Sequence, residues 1–496
     1  MSQLQPRPGS IVTTRTTTPP RTVPTDTGVW FVAGLSDRGQ TTPTLVQSLQ
    51  DFINIFGTRQ TYSVLYDAVE TFFREGGARA YIGRVVGPAA VVAFKNLNDN
   101  AAAVSLVAKA KGPGAFGNVI TVQVQNPGAG GTASSFSLQV VDTGYPGGTL
   151  TEQSPDFTSQ AAAIAWAQSN SQLITLTLGA SSLFPQNAAA SALATGNDDR
   201  ASVTDTQWRA ALTGFTRDLG PGQVTQIGRT TTTAHADTLA HAAANNRTAI
   251  LDGPDSPTVA TVTTAATTQR GTNDEYGALF APWIVIPGLV AGTTRIVPPS
   301  ALVCAKCGKN DGAGKSPNNP AAGIDGVGSF VIGLSQPAYD NGSGVDVTRD
   351  AMYTLGVNQI VFRYGNYEVF GWRTLVDPNG AKGDWINLGN RRLAMAMVAK
   401  GLAIAENFIL EEIDGQGRVF ARFNGMLSAM CADYFTLGSL YGVRPEDAYS
   451  VDTGPQVNTI ATIGNRELHA AISARMSPDS ELVVIEIAKV PVTQNL

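Results

Sequence analysis

The stretch TYSVLYDAVETFFREGGARAYIGRVVG, residues 61–87, decides the fold. Tyr62, Leu65, Tyr66, Val69, Phe72 and Phe73 recur at helical spacing and share one face of a predicted helix. Gly76 and Gly77 stop that helix, and ARAYIGRVVG follows as an apolar strand. A helix feeding straight into a strand is a unit of α/β architecture. Just upstream, GVWFVAGLSDRG from Gly28 reads as another strand running into a turn.

Outward from this unit the texture changes twice. Between about residues 112 and 178, NVITVQVQN, SFSLQVVDT and QLITLTL alternate with Gly, Pro and Asn turns, which predicts a β-rich module with SQAAAIAWAQSN as its one short helix. Thr204 and Gln207 then form a capping box ahead of WRAALTGF. RTAILDGPDS and APWIVIPG read as buried strands, and the helical patterns between them predict a mostly parallel sheet. RIVPPSALVCAKC reads as a strand ending in a long Gly-, Lys- and Asn-rich loop over 304–325. NQIVFRYGNYEVFGWRTL predicts two strands turning at YGNY. NRRLAMAMVAKGLAIAENFILEEID is the longest helix pattern, apolar nearly all round and so expected to be mostly buried. RELHAAISARM reads as a shorter helix, and Leu482–Val490 as a final strand.

A chain of 496 residues exceeds one ordinary core, so several domains are expected. The apolar fraction of 43% can build cores, while 15% charged residues is low for a solvated helical protein. With a net charge of −5 and scattered Lys and Arg, nucleic acid is a poor partner. Three cysteines provide no disulfide framework, which points to assembly in a reducing compartment. The N-terminus lacks the apolar segment of a secretory signal, and the most apolar window, from Leu279, is short and broken by Pro282 and Pro287. A membrane span is therefore not expected.

Residues 304–317, CAKCGKNDGAGKSP, hold two apparent chemistries. A phosphate-binding loop needs G-x-x-x-x-G-K-[ST] leading into a helix. Here Lys309 stands where the first glycine is required, and Pro317 follows the serine. Structural zinc needs four ligands, of which Cys304 and Cys307 supply two; Cys431, His235, His241 and His469 have no matching spacing. A loop with two reduced thiols at a strand end is the reading we take, and a metal- or nucleotide-binding enzyme using this loop is the alternative from another class. His235 and His241 are read as helix-surface residues. No constellation supports a catalytic site, a cofactor or a metal.

Several segments, in order, resemble the contractile phage tail sheath protein family. AVETFFREGGARAYIGRVVG looks like the family's helix, F-F-x-x-G-G and strand. AKGPGAFGNVITVQV resembles A-x-x-P-G-x-W-G-N-x-L-x-V-x-V, with Phe116 where Trp is frequent. VPPSALVCAKCGKNDGAGKSPNNP resembles the family's P-P-S-G-x-V-A-G-x-Y-A-R-x-D-x-x-x-G-x-x-K-x-P-A-N segment, departing at Ala301, Cys304 and Cys307. LDGPDS and NQIVFRYGNYEVFGWRTL also fit, so the resemblance spans most of residues 28–496.

The resemblance implies a multidomain α/β and α+β protein with a discontinuous conserved domain and extended terminal arms. Its expected divisions are an N-terminal arm at 1–27, the N-terminal part of the conserved domain at 28–88, an inserted β-rich domain at 89–199, an inserted α/β domain at 200–357, the C-terminal part of the conserved domain at 358–480, and a C-terminal arm strand at 481–496. It implies a structural subunit that polymerises with itself as stacked hexameric rings around a tail tube protein, meets baseplate and tail terminator proteins, and contracts without nucleotide. The place implied is the virion tail, assembled in the host cytoplasm. A related bacteriocin-like injection device is the alternative within the same class.

Family subunits exchange terminal arms, and both ends here carry strand patterns able to join a neighbour's sheet. The residues expected at that interface are Ile11, Val12, Thr14 and Thr16, and Leu482, Val484, Ile485, Ile487 and Val490. A disordered N-terminal tail, and a C-terminal strand paired within its own subunit, are the plain alternatives. The family's C-terminal part lies innermost, so Glu406, Glu411, Glu412 and Asp414, read as the acidic end of the long helix, are candidates for tube contact; an ordinary solvated helix end is the alternative.

Overall fold

The computed structural model describes residues 23–126, 134–336 and 347–485. Its centre is a nine-stranded sheet in the order Thr44–Val46, Ala80–Val85, Trp30–Leu35, Gln223–Gln226, Thr248–Asp252, Gly277–Ala281, Val357–Arg363, Asn366–Phe370, Val327–Gly328. From Ala80–Val85 to Val357–Arg363 every neighbouring pair is parallel; the outer pairs are antiparallel. Side chains alternate faces with period two. Trp30, Val32, Ile250 and Phe280 enter one core with the helices Leu49–Phe56, Leu65–Arg74 and Ser300–Gly312. Phe31, Ala33, Leu251 and Leu279 enter the other, under the helices Asp205–Gly214, Thr232–Asn245 and Val259–Thr267. Apolar cover on both faces is what a parallel sheet requires.

Two smaller units carry their own cores. Residues 92–193 fold as a three-stranded and a four-stranded sheet around Leu106, Val122, Leu138 and Ile174, with the helix Gln160–Ser169. Two buried arginines tie this unit to the central sheet. Arg84 donates to the carbonyl oxygens of Ser36, Asp37, Gly39 and Pro113, and Arg38 pairs with Asp142. The C-terminal helices Leu388–Ala405 and Arg418–Thr436 pack with residues 440–476 around Phe423, Leu427 and Tyr434.

Several expectations are corrected. The strands within 30–85 and 223–370 pair directly and form one continuous sheet. Residues 300–312 are a helix with ten buried residues, where a strand end and loop were expected. RELHAAISARM is not a helix; Ala471–Ala474 is a strand, since the Asn458 side chain accepts from the His469 amide at 2.8 Å and donates to its carbonyl at 2.8 Å, holding the entry extended. The long helix is buried mainly in its first half; Val398 and Leu402 are exposed. His235 is buried, with Nε2 3.0 Å from the Asp252 carbonyl, and His241 accepts from Arg247 Nη1 at 2.9 Å. Burial lowers both imidazoles, His241 to about 3 with help from Arg247, so neither is a charged surface group.

Other readings match the structure. The Gln207 side chain accepts from the Thr204 amide at 2.9 Å. The YGNY turn has Tyr364 and Gly365 at φ 50° and 84°, the paired left-handed geometry that a two-residue hairpin favours.

Candidate functional site

The residues that leave the body unfinished lie at the chain ends and on one small ribbon. The N-terminal root is well seated. Asp26 pairs with Arg79, Gln223 donates to the Thr27 carbonyl at 2.9 Å, and the Thr27 hydroxyl donates to Asp311 at 2.7 Å. Ile11, Val12, Thr14 and Thr16 lie outside the described residues, as do Ile487 and Val490.

The C-terminal root is held by two carboxylates. Asn387 donates to Asp479, while Glu481 accepts from Arg373 Nε and from the Tyr353 hydroxyl, each at 2.8 Å. The Arg373 hydrogen bonds hold the Glu481 carboxyl below its usual range, and burial pushes Asp479 up. Beyond Glu481 the chain leaves the body. Leu482, Val483, Val484 and Ile485 are 74–79% exposed, and none is in a strand. These four consecutive apolar side chains are exposed and forgo the burial that stabilises the rest of the chain.

Tyr449–Asp452 pairs antiparallel with Ala471–Ala474, and no third strand joins them among the described residues. Tyr449–Asp452 rests on the helix Arg418–Thr436, where Asn424 donates to the Val451 carbonyl at 2.9 Å. Ala471–Ala474 is thus the open edge, with Ala471, Ile472 and Ser473 exposed. Beside it runs a cleft of about 660 Å³ lined by Ile472, Ala474, Met476, Met397, Val398 and Trp385. An apolar hollow of about 800 Å³, with Phe420, Pro455, Ile460 and Ile463 in its wall, lies by the other end of the ribbon. Unpaired strand edge plus apolar groove is the arrangement that accepts an added strand. The sequence reading missed this ribbon, because it assigned Ala471–Ala474 to a helix.

The four acidic candidates separate. Glu406 caps the long helix and is exposed, as is Glu412. Glu411 pairs with Arg422. Asp414 accepts the amides of Gln416, Arg418 and Val419 at 2.9, 3.0 and 3.3 Å, and those bonds hold its carboxyl below the usual range. Glu411 and Asp414 are therefore internal partners and do not form an acidic helix end.

The groups at 304–317 are committed too. Cys304 and Cys307 are fully buried and burial raises both thiols, Cys307 to about 11. Lys306 bonds Glu75 at 2.6 Å, Lys315 bonds Asp325 at 2.6 Å, and the Ser316 hydroxyl meets that of Ser439. Among the described residues no three His, Cys, Asp or Glu are placed to hold a metal ion, and no helix is long and apolar enough to cross a membrane.

No family model and no curated relative matches this sequence. Solved structures do. A sheath tail protein of Listeria innocua superposes with TM-score 0.58 at 12% identity, over 88% of this chain and 90% of that one. The sheath tail protein of Desulfitobacterium hafniense gives 0.50 at 14% identity, over 90% and 93%. The sheath of an extracellular contractile injection system, PVC, in its contracted state, gives 0.54 at 13% identity, over 98% of each chain. The chain has the fold of these sheath proteins.

Proposed function

We propose that this chain is the structural subunit of a contractile sheath, polymerising as stacked hexameric rings around a tube and contracting to drive the tube through an envelope. The likeness to sheath proteins along 88–98% of the chain carries this reading. The open ribbon and the exposed Leu482–Ile485 segment supply its chemistry. In the assembly, the arm of one subunit adds a strand to the Ala471–Ala474 edge of another, and its apolar side chains fill the adjoining cleft. The residues we assign to the arms are Ile11, Val12, Thr14 and Thr16, and Leu482, Val484, Ile485, Ile487 and Val490. Covalently continuous arms keep neighbours joined while bodies rotate, so contraction needs no nucleotide and releases energy stored in the extended lattice.

The partners in this reading are copies of the chain, a tube protein at Glu406 and Glu412, and baseplate and terminator proteins at the sheath ends. The sheath assembles in the host cytoplasm and belongs to a virion tail. A second reading, the sheath of an injection device, draws on the superposition with PVC over 98% of both chains. Electron microscopy of the purified full-length chain tests the shared core of both. Hollow, cross-striated tubes are expected; a protein that stays monomeric under all assembly conditions would overturn it.

A further inference from the structure

We infer that residues 311–319, the end of the helix Ser300–Gly312 and the loop that follows it, form an internal tie that couples the root of the N-terminal arm to the root of the C-terminal arm within one subunit. This goes beyond the sheath reading and stands or falls apart from it, because every contact lies within a single chain. At the loop's start, Asp311 Oδ2 accepts both the Thr27 hydroxyl and Arg392 Nη2, each at 2.7 Å. Arg392 is fully buried and also donates from Nη1 to the Pro317 carbonyl at 2.9 Å. One guanidinium thus grips both ends of the loop while Thr27 hangs from its first residue.

At the loop's other end, the Asn318 side chain donates to the Ser439 carbonyl at 3.2 Å and reaches that of Ser477 at 3.4 Å. The loop backbone lies on the first turn of the helix Leu388–Ala405; a Cβ at Gly389 would stand 2.2 Å from the Asn318 carbonyl oxygen. That turn is capped by Asn387, whose Oδ1 accepts the Gly389 amide at 2.6 Å and whose Nδ2 donates to Asp479. Asn387 is bridged in antiparallel register to Arg373, the residue that holds Glu481.

A path therefore runs from Thr27 by hydrogen bonds through Asp311 to Arg392, along the first turn of the helix Leu388–Ala405 to its cap Asn387, and from there by a hydrogen bond to Asp479. Buried polar groups that lose a partner are costly, so breaking one link weakens its neighbours. The two roots open as one cooperative unit, and a subunit whose N-terminal arm is displaced loosens its C-terminal arm as well.

Hydrogen exchange of the full-length chain, read peptide by peptide, tests the tie. Thr27→Val removes one hydroxyl and keeps the shape; exchange should rise about tenfold both at residues 24–29 and at the distant residues 476–481. Asn387→Ala should loosen the same two segments from the other side. Asn424→Ala, which breaks a bond to the ribbon outside the path, should leave both roots as in the parent chain. Exchange at 476–481 unchanged in Thr27→Val overturns the inference, as does equal loosening of both roots in Asn424→Ala. Thr27→Val is the milder change and decides alone if Asn387→Ala fails to fold.

Discussion

Two strands of nearly equal length stand in opposite situations. In Thr248–Asp252 all five residues are buried, with a parallel neighbour on each side. In Ala471–Ala474 three of four are exposed and one edge is open. The first strand is paired on both edges; the second is paired on one edge only among the described residues. If the open edge receives an arm as proposed, substitutions in the two places should fail in different ways, one in subunit stability and the other in assembly.

The largest loss is expected in the finished sheet. Phe280→Ala empties a fully buried site against Trp372 and should cost roughly 3–5 kcal/mol, seen as an early first transition in urea. Next, Lys306→Met strands the buried Glu75 carboxylate and should cost about 3 kcal/mol, near the low end for a broken buried pair because Ser329 and Phe330 still donate to it.

Asp252 tests the same region through pH. Burial raises its carboxyl to about 6, outweighing the amides of Gly228 and Ser300 that it accepts. A group raised on folding adds stability below its unfolded value, about 4, and that contribution disappears as pH climbs through about 6. Compared with Asp252→Asn, the parent chain should lose about 2 kcal/mol between pH 4 and pH 7. A constant difference across urea titrations in that range would rule the assignment out.

At the ribbon the ranking inverts. Ile472→Ser should change subunit stability by less than about 1 kcal/mol, since the side chain is already 38% exposed, yet abolish tubes in the microscope. Tubes of normal length would move the joining edge elsewhere. Smallest of all, Glu406→Lys with Glu412→Lys should stay within about 0.5 kcal/mol in urea while reducing sheath assembly on tubes; unaltered assembly would remove these residues from the tube contact.

The same contrast governs what the sequence made legible. Strands such as RTAILDGPDS read correctly because burial on both faces writes a continuous apolar run. The capping box at Thr204 and the YGNY turn read correctly because their partners are local. Ser300–Gly312 was misread because its polar Lys306 and Asn310 are buried along with its apolar residues, which blurs the helical period, and its first amide is capped by Asp252, 48 residues earlier in the chain. The ribbon was misread because its strand is imposed by Asn458 and Tyr449–Asp452, neither adjacent in sequence. The arm candidates rest on the family's exchange of terminal arms and on a strand pattern, which identifies a strand former but not a partner edge. The open edge at Ala471–Ala474 lies beside a cleft only in the folded chain, and its Ala-rich segment carries no strand pattern.

The β-rich unit at residues 92–193 has a further consequence. Its two crossings to the body run side by side: the Val91 amide donates to Asn197 at 2.7 Å, the Asn197 amide returns to Val91 at 2.9 Å, and the Gly87 amide donates to Asp198 at 2.8 Å. Excising the unit here would leave ends already within reach of a very short linker, so almost no loop-closure entropy attends its loss. The same geometry makes it an exchangeable cartridge, where a foreign domain with adjacent termini can be spliced in without shifting a strand of the central sheet. Arg38 and Arg84 set the terms of that exchange, because each loses a buried acceptor, Asp142 or the Pro113 carbonyl, when the unit leaves. A replacement must either offer an oxygen in the same place or arrive with the arginine changed to an apolar residue.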